Sequence, residues 1–521
     1  MAANIQLPSR SNASANVALM EQNNIERFGA YTRLYIEDRC YTNIEELQYA
    51  GRLASILIDR GVRPGDRVMV VFPNTPELTA SLQAIWTIGA VVVPVMPQCN
   101  GSEISNALSH SGAQVVLTLP ALAARMREAR RGPGALKHEL CFGESDEPGT
   151  SNILPDLVQA PVVDVPVDRS AGDMAMLLYT SGTSGKPKGV VMTHGNIAAA
   201  VESANALNPD LPRRPMLHAL PLAHSFGLVM LKLANRWGLT SVLLRQFDPV
   251  AVLRAIEQHQ IGYLPVVPAM LVYMLHHPER AGFNVSSLYR ITSGGAPLPE
   301  KLRRDFQETF GCRVDQGYGM SETFAIAAAY DDHEAYRAGS TGRAEPGIGI
   351  RVVNDRNQTL PPRCAGEICL AGANITPGYW RDPAATREAF TGEWFHTGDV
   401  GHVDEDGYLH ITDRKKDLII KGGENISPRE IEEALYLHPA VADAAVVGVP
   451  DAVFGEEICA VIQRKPGIDL NDEDIRCHVA QHLCKFKVPR RIVFQDGLPK
   501  NSVGKIQKRT IREQLLVEAA A

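Results

Sequence analysis

Leu177-Leu178-Tyr179-Thr180-Ser181-Gly182-Thr183-Ser184-Gly185-Lys186-Pro187-Lys188-Gly189-Val190 lies about a third of the way along the chain. Both ends are apolar and residues 190–192 continue the second run, so the segment reads as strand, loop, strand. The loop is built from Thr, Ser, Gly, Lys and Pro. Its hydroxyls, approachable glycine amides and two lysines form a concave donor surface suited to phosphate oxygens. It is not a Walker loop, which needs Ser or Thr after its lysine; Pro187 follows Lys186 and Gly189 follows Lys188. The same composition suits a flexible linker. Strands on both sides count against that reading.

Working outward, short Val/Ile/Leu runs alternate with longer Ala/Leu/Glu segments from Arg27 to Leu298. This predicts strands alternating with helices around mainly parallel sheets. Residues 68–72 and 90–93 read as strands, and Leu78, Leu82 and Ile85 between them have helical spacing. After Leu360, Gly-rich turns separate short extended pieces at 366–370 and 407–411, which predicts an antiparallel subdomain. Asp413-Arg414-Lys415-Lys416-Asp417 then places five charges between apolar strands, the pattern of a solvated turn or a domain linker. Beyond it, 428–437 reads as a helix with Ser427 as N-cap, Pro428 at N1 and Glu430 at N3, and 442–449 reads as a strand.

Composition sets the frame. The 521 residues carry a net charge of −7, with 45% hydrophobic and 21% charged residues. Several globular units are expected, with no general attraction to nucleic acid. Nine scattered cysteines without a CxxC pair point to a reducing compartment. Residues 1–20 lack the apolar core of a signal peptide, and the apolar runs at 84–96 and 263–275 are too short to span a membrane. A cytoplasmic protein is expected; nothing in the sequence sets its oligomeric state. Between Lys485 and Arg512, nine basic residues face one acidic residue. That stretch reads either as a solvated face or as an attractor for a polyanion.

Further motifs follow the loop in order. Gly294-Gly295-Ala296-Pro297 follows an apolar run, and Gln316-Gly317-Tyr318-Gly319-Met320-Ser321-Glu322-Thr323 comes next. Trp394-Phe395-His396-Thr397-Gly398-Asp399, the charged run, Lys421-Gly422-Gly423-Glu424-Asn425-Ile426 and Pro499-Lys500-Asn501-Ser502-Val503-Gly504-Lys505 complete the series. Together they resemble the adenylate-forming superfamily of acyl-CoA synthetases, coumarate:CoA ligases, luciferases and peptide-synthetase adenylation domains. The resemblance implies a large N-terminal α/β domain of mixed sheets with a β-rich subdomain, residues 1–413. A small mobile α+β C-terminal domain, residues 414–521, would pivot near Lys416.

The chemistry agrees. Activating a carboxylate means bringing it to the α-phosphate of ATP, so two anions must meet and cations must neutralise them. The resemblance assigns that task to Lys505. It places Thr180, Ser181, Gly182, Thr183, Ser184, Gly185 and Lys188 on the phosphates, and Gly294, Gly295, Ala296, Gln316, Gly317, Tyr318 and Gly319 around adenine. Asp399 and Arg414 fall near the ribose. Glu322 would hold Mg²⁺, since a carboxylate beside phosphates is otherwise repelled, with Thr323 at the α-phosphate. Gly422, Gly423 and Glu424 would face the pantetheine tunnel of CoA after rotation.

His224, in Leu220-Pro221-Leu222-Ala223-His224-Ser225-Phe226, matches the gate beside the acid. The aspartate with which amino-acid-activating relatives bind an ammonium is missing from residues 226–230, which disfavours amino acids. Phe226, Val229, Met230, Val267, Met270 and Met320 suggest an apolar acid, a fatty acid first, with aryl acids open; Lys232 lies nearby. The expected activity is ATP-dependent acid:CoA ligation. A stand-alone enzyme loading a carrier protein, which the basic stretch would suit, is the alternative, and a non-catalytic nucleotide binder is a third. Cys477, His478, His482 and Cys484 have zinc-like spacing, but Ile475, Val479 and Leu483 beside them argue for an ordinary packed helix.

Overall fold

The computed structural model describes residues 15–131, 136–180, 188–209, 211–451, 453–465, 467–468, 470–500 and 505–520. Parallel pairing requires crossovers, and the alternating pattern supplies them as helices. Strand Arg67–Val71, helix Pro76–Thr87 and strand Val91–Val95 form one such unit, close to the predicted limits. This helix is buried on every side from Leu78 to Thr87, as its all-round apolar sequence requires.

Two seven-stranded sheets result. One runs Thr150–Asn152, His138–Cys141, Val115–Thr118, Arg67–Val71, Val91–Val95, Met174–Thr180, Lys188–Thr193, and the other Arg313–Gln316, Arg290–Ser293, Tyr263–Val266, Met216–His218, Ser241–Leu243, Thr32–Ile36, Arg39–Thr42. Each is parallel except for an antiparallel last pair. Helix Ser225–Arg236 is buried along almost its whole length.

An antiparallel five-stranded sheet follows, from Ile348–Val353 to Leu409–Arg414, as the Gly-rich turns predicted. Asp417 and Leu418 donate to the carbonyl of Arg414, so the charged run is a tight turn before strand Ile419–Lys421. The last sheet pairs that strand with Glu424–Ile426 and Gly455–Arg464, backed by helix Pro428–Tyr436. Ser427 caps that helix as read from the sequence, accepting from the Glu430 amide. Among the described residues no helix is long and apolar enough to cross a membrane.

Candidate active site

Strands Arg290–Ser293 and Arg313–Gln316 are parallel neighbours, and their carboxyl ends carry Gly294-Gly295-Ala296 and Gly317-Tyr318-Gly319 side by side. Ligands of open α/β sheets bind at such ends. A Cβ at Gly294 would sit 3.1 Å from the Phe226 ring, which would have to give way, and Gly295 has φ +76°. The Tyr318 hydroxyl donates to Asp399 Oδ2 at 2.6 Å, while Arg414 Nε donates to Asp399 Oδ1 at 3.0 Å. Asp399 and Arg414 face each other across adjacent strands. Burial and the Asp399 charge push the Tyr318 phenol well above its usual range.

Glu322 and Thr323 lie on a single helical turn, Ser321–Thr323, in a tightly folded loop. Phe324 and Ala325 hold left-handed φ of 51° and 65°, and a Cβ on Gly319 would lie 2.1 Å from the Ala325 carbonyl. Asn374 Nδ2 braces this backbone by donating to the carbonyls of Thr323 and Ile326, at 3.0 and 2.7 Å. The Thr376 amide donates to the Glu322 carbonyl at 2.8 Å. The buried Glu322 side chain accepts from the Tyr379 hydroxyl at 3.0 Å, and desolvation raises its pKa. Lys188 Nζ lies 4.7 Å from the Tyr379 ring centroid. A lone buried carboxylate near a lysine fits a Mg²⁺ arriving on a polyphosphate. Among the described residues no group of three or more His, Cys, Asp or Glu is arranged to hold a metal by itself.

Lys505 closes the arrangement. Burial, with Arg414 assisting, lowers its ammonium to about 8, opposed by Asp399 and Asp417. His224 caps helix Ser225–Arg236 and is held down to about 4 by burial and by Lys505. It is a neutral imidazole at neutral pH. Lys416 is exposed, and its ammonium is lowered by partial desolvation and by Arg414. Gly295, Ala296, Gln316, Gly317, Tyr318 and Gly319 line one side of a cleft of about 1120 Å³, and Asp399, Arg414, Lys416 and Lys505 also line it.

Other expected residues stand apart. Gly422, Gly423 and Glu424 form an exposed hairpin outside that cleft, with φ of 60° and 87° at the glycines. Thr180 and Lys188 are paired at the ends of their strands, whereas Ser181, Gly182, Thr183, Ser184 and Gly185 lie outside the described residues. Val229 is fully enclosed in the main core and Met320 packs against the antiparallel subdomain. Lys232 pairs with Glu21 at 3.0 Å and stacks 4.6 Å above Trp86, so it belongs to a buried ion network with Arg33.

In the basic stretch most of the cations meet carboxylates of the same chain. Lys487, Arg490, Arg491, Lys500, Lys508, Arg509 and Arg512 pair with Glu430, Asp451, Glu518, Asp443, Glu432, Glu513 and Glu456. A count along the sequence could not see carboxylates supplied by other elements. The sequence reading also missed Asn374 and Tyr379, which reach Glu322 and Thr323 only through the fold. Gly378, with φ 142° and a Cβ position 2.4 Å from the Thr386 side chain, was the one local sign of a constrained backbone there.

Comparison with known proteins agrees with this geometry. The AMP-binding enzyme family model matches residues 22–380, and the AMP-binding enzyme C-terminal domain matches residues 430–505. A long-chain-fatty-acid–CoA ligase of Bacillus subtilis (strain 168) is 32% identical over 94% of this chain and 92% of its own. A feruloyl-CoA synthase of an Amycolatopsis species is 37% identical over 91% and 94%. The solved anthranilate CoA ligase AuaEII, in complex with anthranoyl-AMP, is 25% identical with a TM-score of 0.93, covering 99% of this chain and 100% of that one. Two mainly parallel sheets with a cleft at strand carboxyl ends suit an enzyme that binds a nucleotide. The chain belongs to the AMP-binding enzyme family, the adenylate-forming superfamily, and within it to the acyl-CoA synthetase branch of AMP-forming acid:CoA ligases.

Proposed function

We propose that this enzyme activates an apolar carboxylic acid, fatty or aryl, as its acyl-AMP and passes the acyl group to CoA. The observation that carries the reading is Lys505, a part-buried ammonium in the cleft lined by Tyr318, Asp399 and Arg414, whose charge helps keep His224 neutral. Gly294, Gly295, Ala296 and Tyr318 would receive the base. Asp399, pre-aligned by Tyr318 and Arg414, would take the ribose hydroxyls. Lys188 and residues 180–185 would hold the phosphates. Mg²⁺, held by Glu322, would supply charge neutralisation on the phosphates.

A carboxylate oxygen of the acid attacks the α-phosphorus, the bond to the β-bridging oxygen breaks, and pyrophosphate leaves. Lys505 offsets the charge where the two anions meet, and His224 can stand beside the acid because it brings no charge of its own. In the second step the CoA thiolate attacks the acyl carbon and AMP departs. We assign residues 1–413 and 414–521 to two domains with a pivot near Lys416, so that Lys505 leaves and Gly422, Gly423 and Glu424 arrive for that step. The apolar residues Leu220, Leu222 and Phe226 on either side of His224 in the chain, and Lys232 being engaged elsewhere, support an acid without a second charge. Seven of the cations that suited an acidic carrier protein pair with carboxylates of the chain itself, which supports CoA as acceptor. Free cysteines throughout suit a cytoplasmic setting.

The test is incubation with ATP, Mg²⁺ and aliphatic and aromatic acids of graded length, with and without CoA, following AMP and thioester. Thioester from apolar acids is expected. Turnover confined to dicarboxylic or amino acids, or acyl-AMP that only a carrier protein accepts, would overturn the reading.

A further inference from the structure

Residues 373–380, between strand Gly366–Gly372 and helix Pro383–Ala389, have no part in the roles above, yet they grip the Glu322 loop from behind. Asn374 and Thr376 hold its backbone; Tyr379 reaches its carboxylate. Tyr379 is anchored as a short extra strand beside Lys188–Thr193. The Val191 amide donates to the Gly378 carbonyl, the Trp380 amide donates to the Gly189 carbonyl, and Val190 and Tyr379 form an antiparallel bridge. The Tyr379 amide donates to Thr386 Oγ1 at 2.9 Å. The backbone of Tyr379 is thus fixed on both sides. The ring lies between the ammonium of Lys188, 4.7 Å from its centroid, and Glu322 Oε1, 3.0 Å from its hydroxyl.

We propose that Tyr379 is a positioning residue for acid activation, its hydroxyl fixing the Glu322 carboxylate while its ring seats the Lys188 ammonium. The inference rests on the reading of Glu322 as the Mg²⁺-holding residue. The two contacts reinforce each other: a cation on the ring face draws electron density from the phenol and makes its hydroxyl a stronger donor to the carboxylate. A carboxylate with one oxygen held presents the other in a single direction, and that order exists before substrate arrives. Lys188 opens strand Lys188–Thr193 and Glu322 lies on the helical turn Ser321–Thr323, and one aromatic ring sets the spacing of this cation and this anion.

Three variants separate the possibilities. Y379F keeps the ring and removes the hydroxyl, Y379L removes both, and E322Q removes the anion. Each is measured for acyl-AMP formation, for thioester formation from supplied acyl-AMP and CoA, for thermal unfolding, and for calorimetric ATP binding without acid, in Mg²⁺ and in EDTA. Y379F is expected to slow acyl-AMP formation about tenfold to hundredfold, chiefly in kcat. Its thioester step should stay within about twofold of the parent. The Mg²⁺-dependent gain in ATP affinity should shrink in Y379F as it does in E322Q. Y379L should also weaken ATP binding in EDTA, because Lys188 loses its seat. If Y379F keeps both the Mg²⁺ gain and the adenylation rate while E322Q loses them, the role of Tyr379 is refuted and that of Glu322 stands. Equal loss of both half-reactions with a lowered Tm would make Tyr379 a packing residue and overturn the proposal. An unchanged Mg²⁺ gain in E322Q would remove the Glu322 reading, and this inference with it.

Discussion

At the scale of single residues, the site rests on charges held under unfavourable conditions. Lys505 is part-buried, and desolvation lowers its pKa to about 8 from 10.5. Its ammonium is therefore lost as pH rises through about 8, and kcat/KM for acyl-AMP formation, which reports the free enzyme, should fall over that range. The same shift bears on folding. A lysine whose folded pKa is depressed opposes folding fully below about 8 and progressively less up to 10.5. Lys505→Met should therefore stabilise the fold at pH 7 by about 1 to 3 kcal/mol in urea unfolding, with the gain fading towards pH 10. Lys505→Ala should cost adenylation roughly 10²- to 10³-fold and spare thioester formation from supplied acyl-AMP; comparable losses in both steps would exclude the assigned role. Asp399, Arg414, Tyr318 and Lys505 were legible in the sequence because each sits in a short motif that matches a family pattern. Tyr379 and Asn374 were not, since their partners Glu322 and Thr323 lie more than fifty residues away and nothing near either residue announces the contact.

Among the elements, the decisive piece is the loop after strand Arg313–Gln316. Its turn is so tight that the Gly319 Cα approaches the Ala325 carbonyl, leaving no room for a side chain. Gly319→Ala should open the loop, costing about 2 kcal/mol or more of stability together with ATP affinity, measured by urea unfolding and calorimetry. Asn374→Ala strands two buried carbonyls and should cost about 1 to 3 kcal/mol for each one left without a partner, with a raised KM for ATP. Strands and helices here were largely foreseeable from periodicity: the unit at 67–95, the capped helix Pro428–Tyr436 and the Gly-punctuated antiparallel sheet all fall within a few residues of expectation. The antiparallel edge that ends each large sheet was not foreseen. Pairing partners of short apolar runs depend on long-range packing that local pattern does not encode.

For the molecule as a whole, the proposed cycle requires the two halves to separate at Asp413–Asp417 after acyl-AMP forms. In that run the Lys415 and Asp417 amides donate to carbonyls of Gly398 and Arg414. Lys416→Pro would fix φ at the pivot and constrain Lys415 before it. The expected result is acyl-AMP that forms and accumulates while thioester release falls more than about tenfold, read by single-turnover quench. Release at the parent rate would place the pivot elsewhere. The overall plan was readable from motif order. The electrical character of the last hundred residues was not, because Glu430, Glu432, Asp443 and Glu456 meet the late cations only once the small sheet and its helices assemble.

That pairing has a consequence for traffic over the nucleotide. A strongly positive flap would fall onto a triphosphate and stay there, since every long-range attraction that sped its arrival would slow its departure. With seven of its late cations matched to carboxylates of its own, the proposed flap would be nearly silent at a distance, and its hold on the nucleotide would rest on a few short-range contacts. Such a machine trades grip for turnover, and its throughput should change little between dilute and concentrated salt compared with an enzyme that clamps its nucleotide by bulk charge.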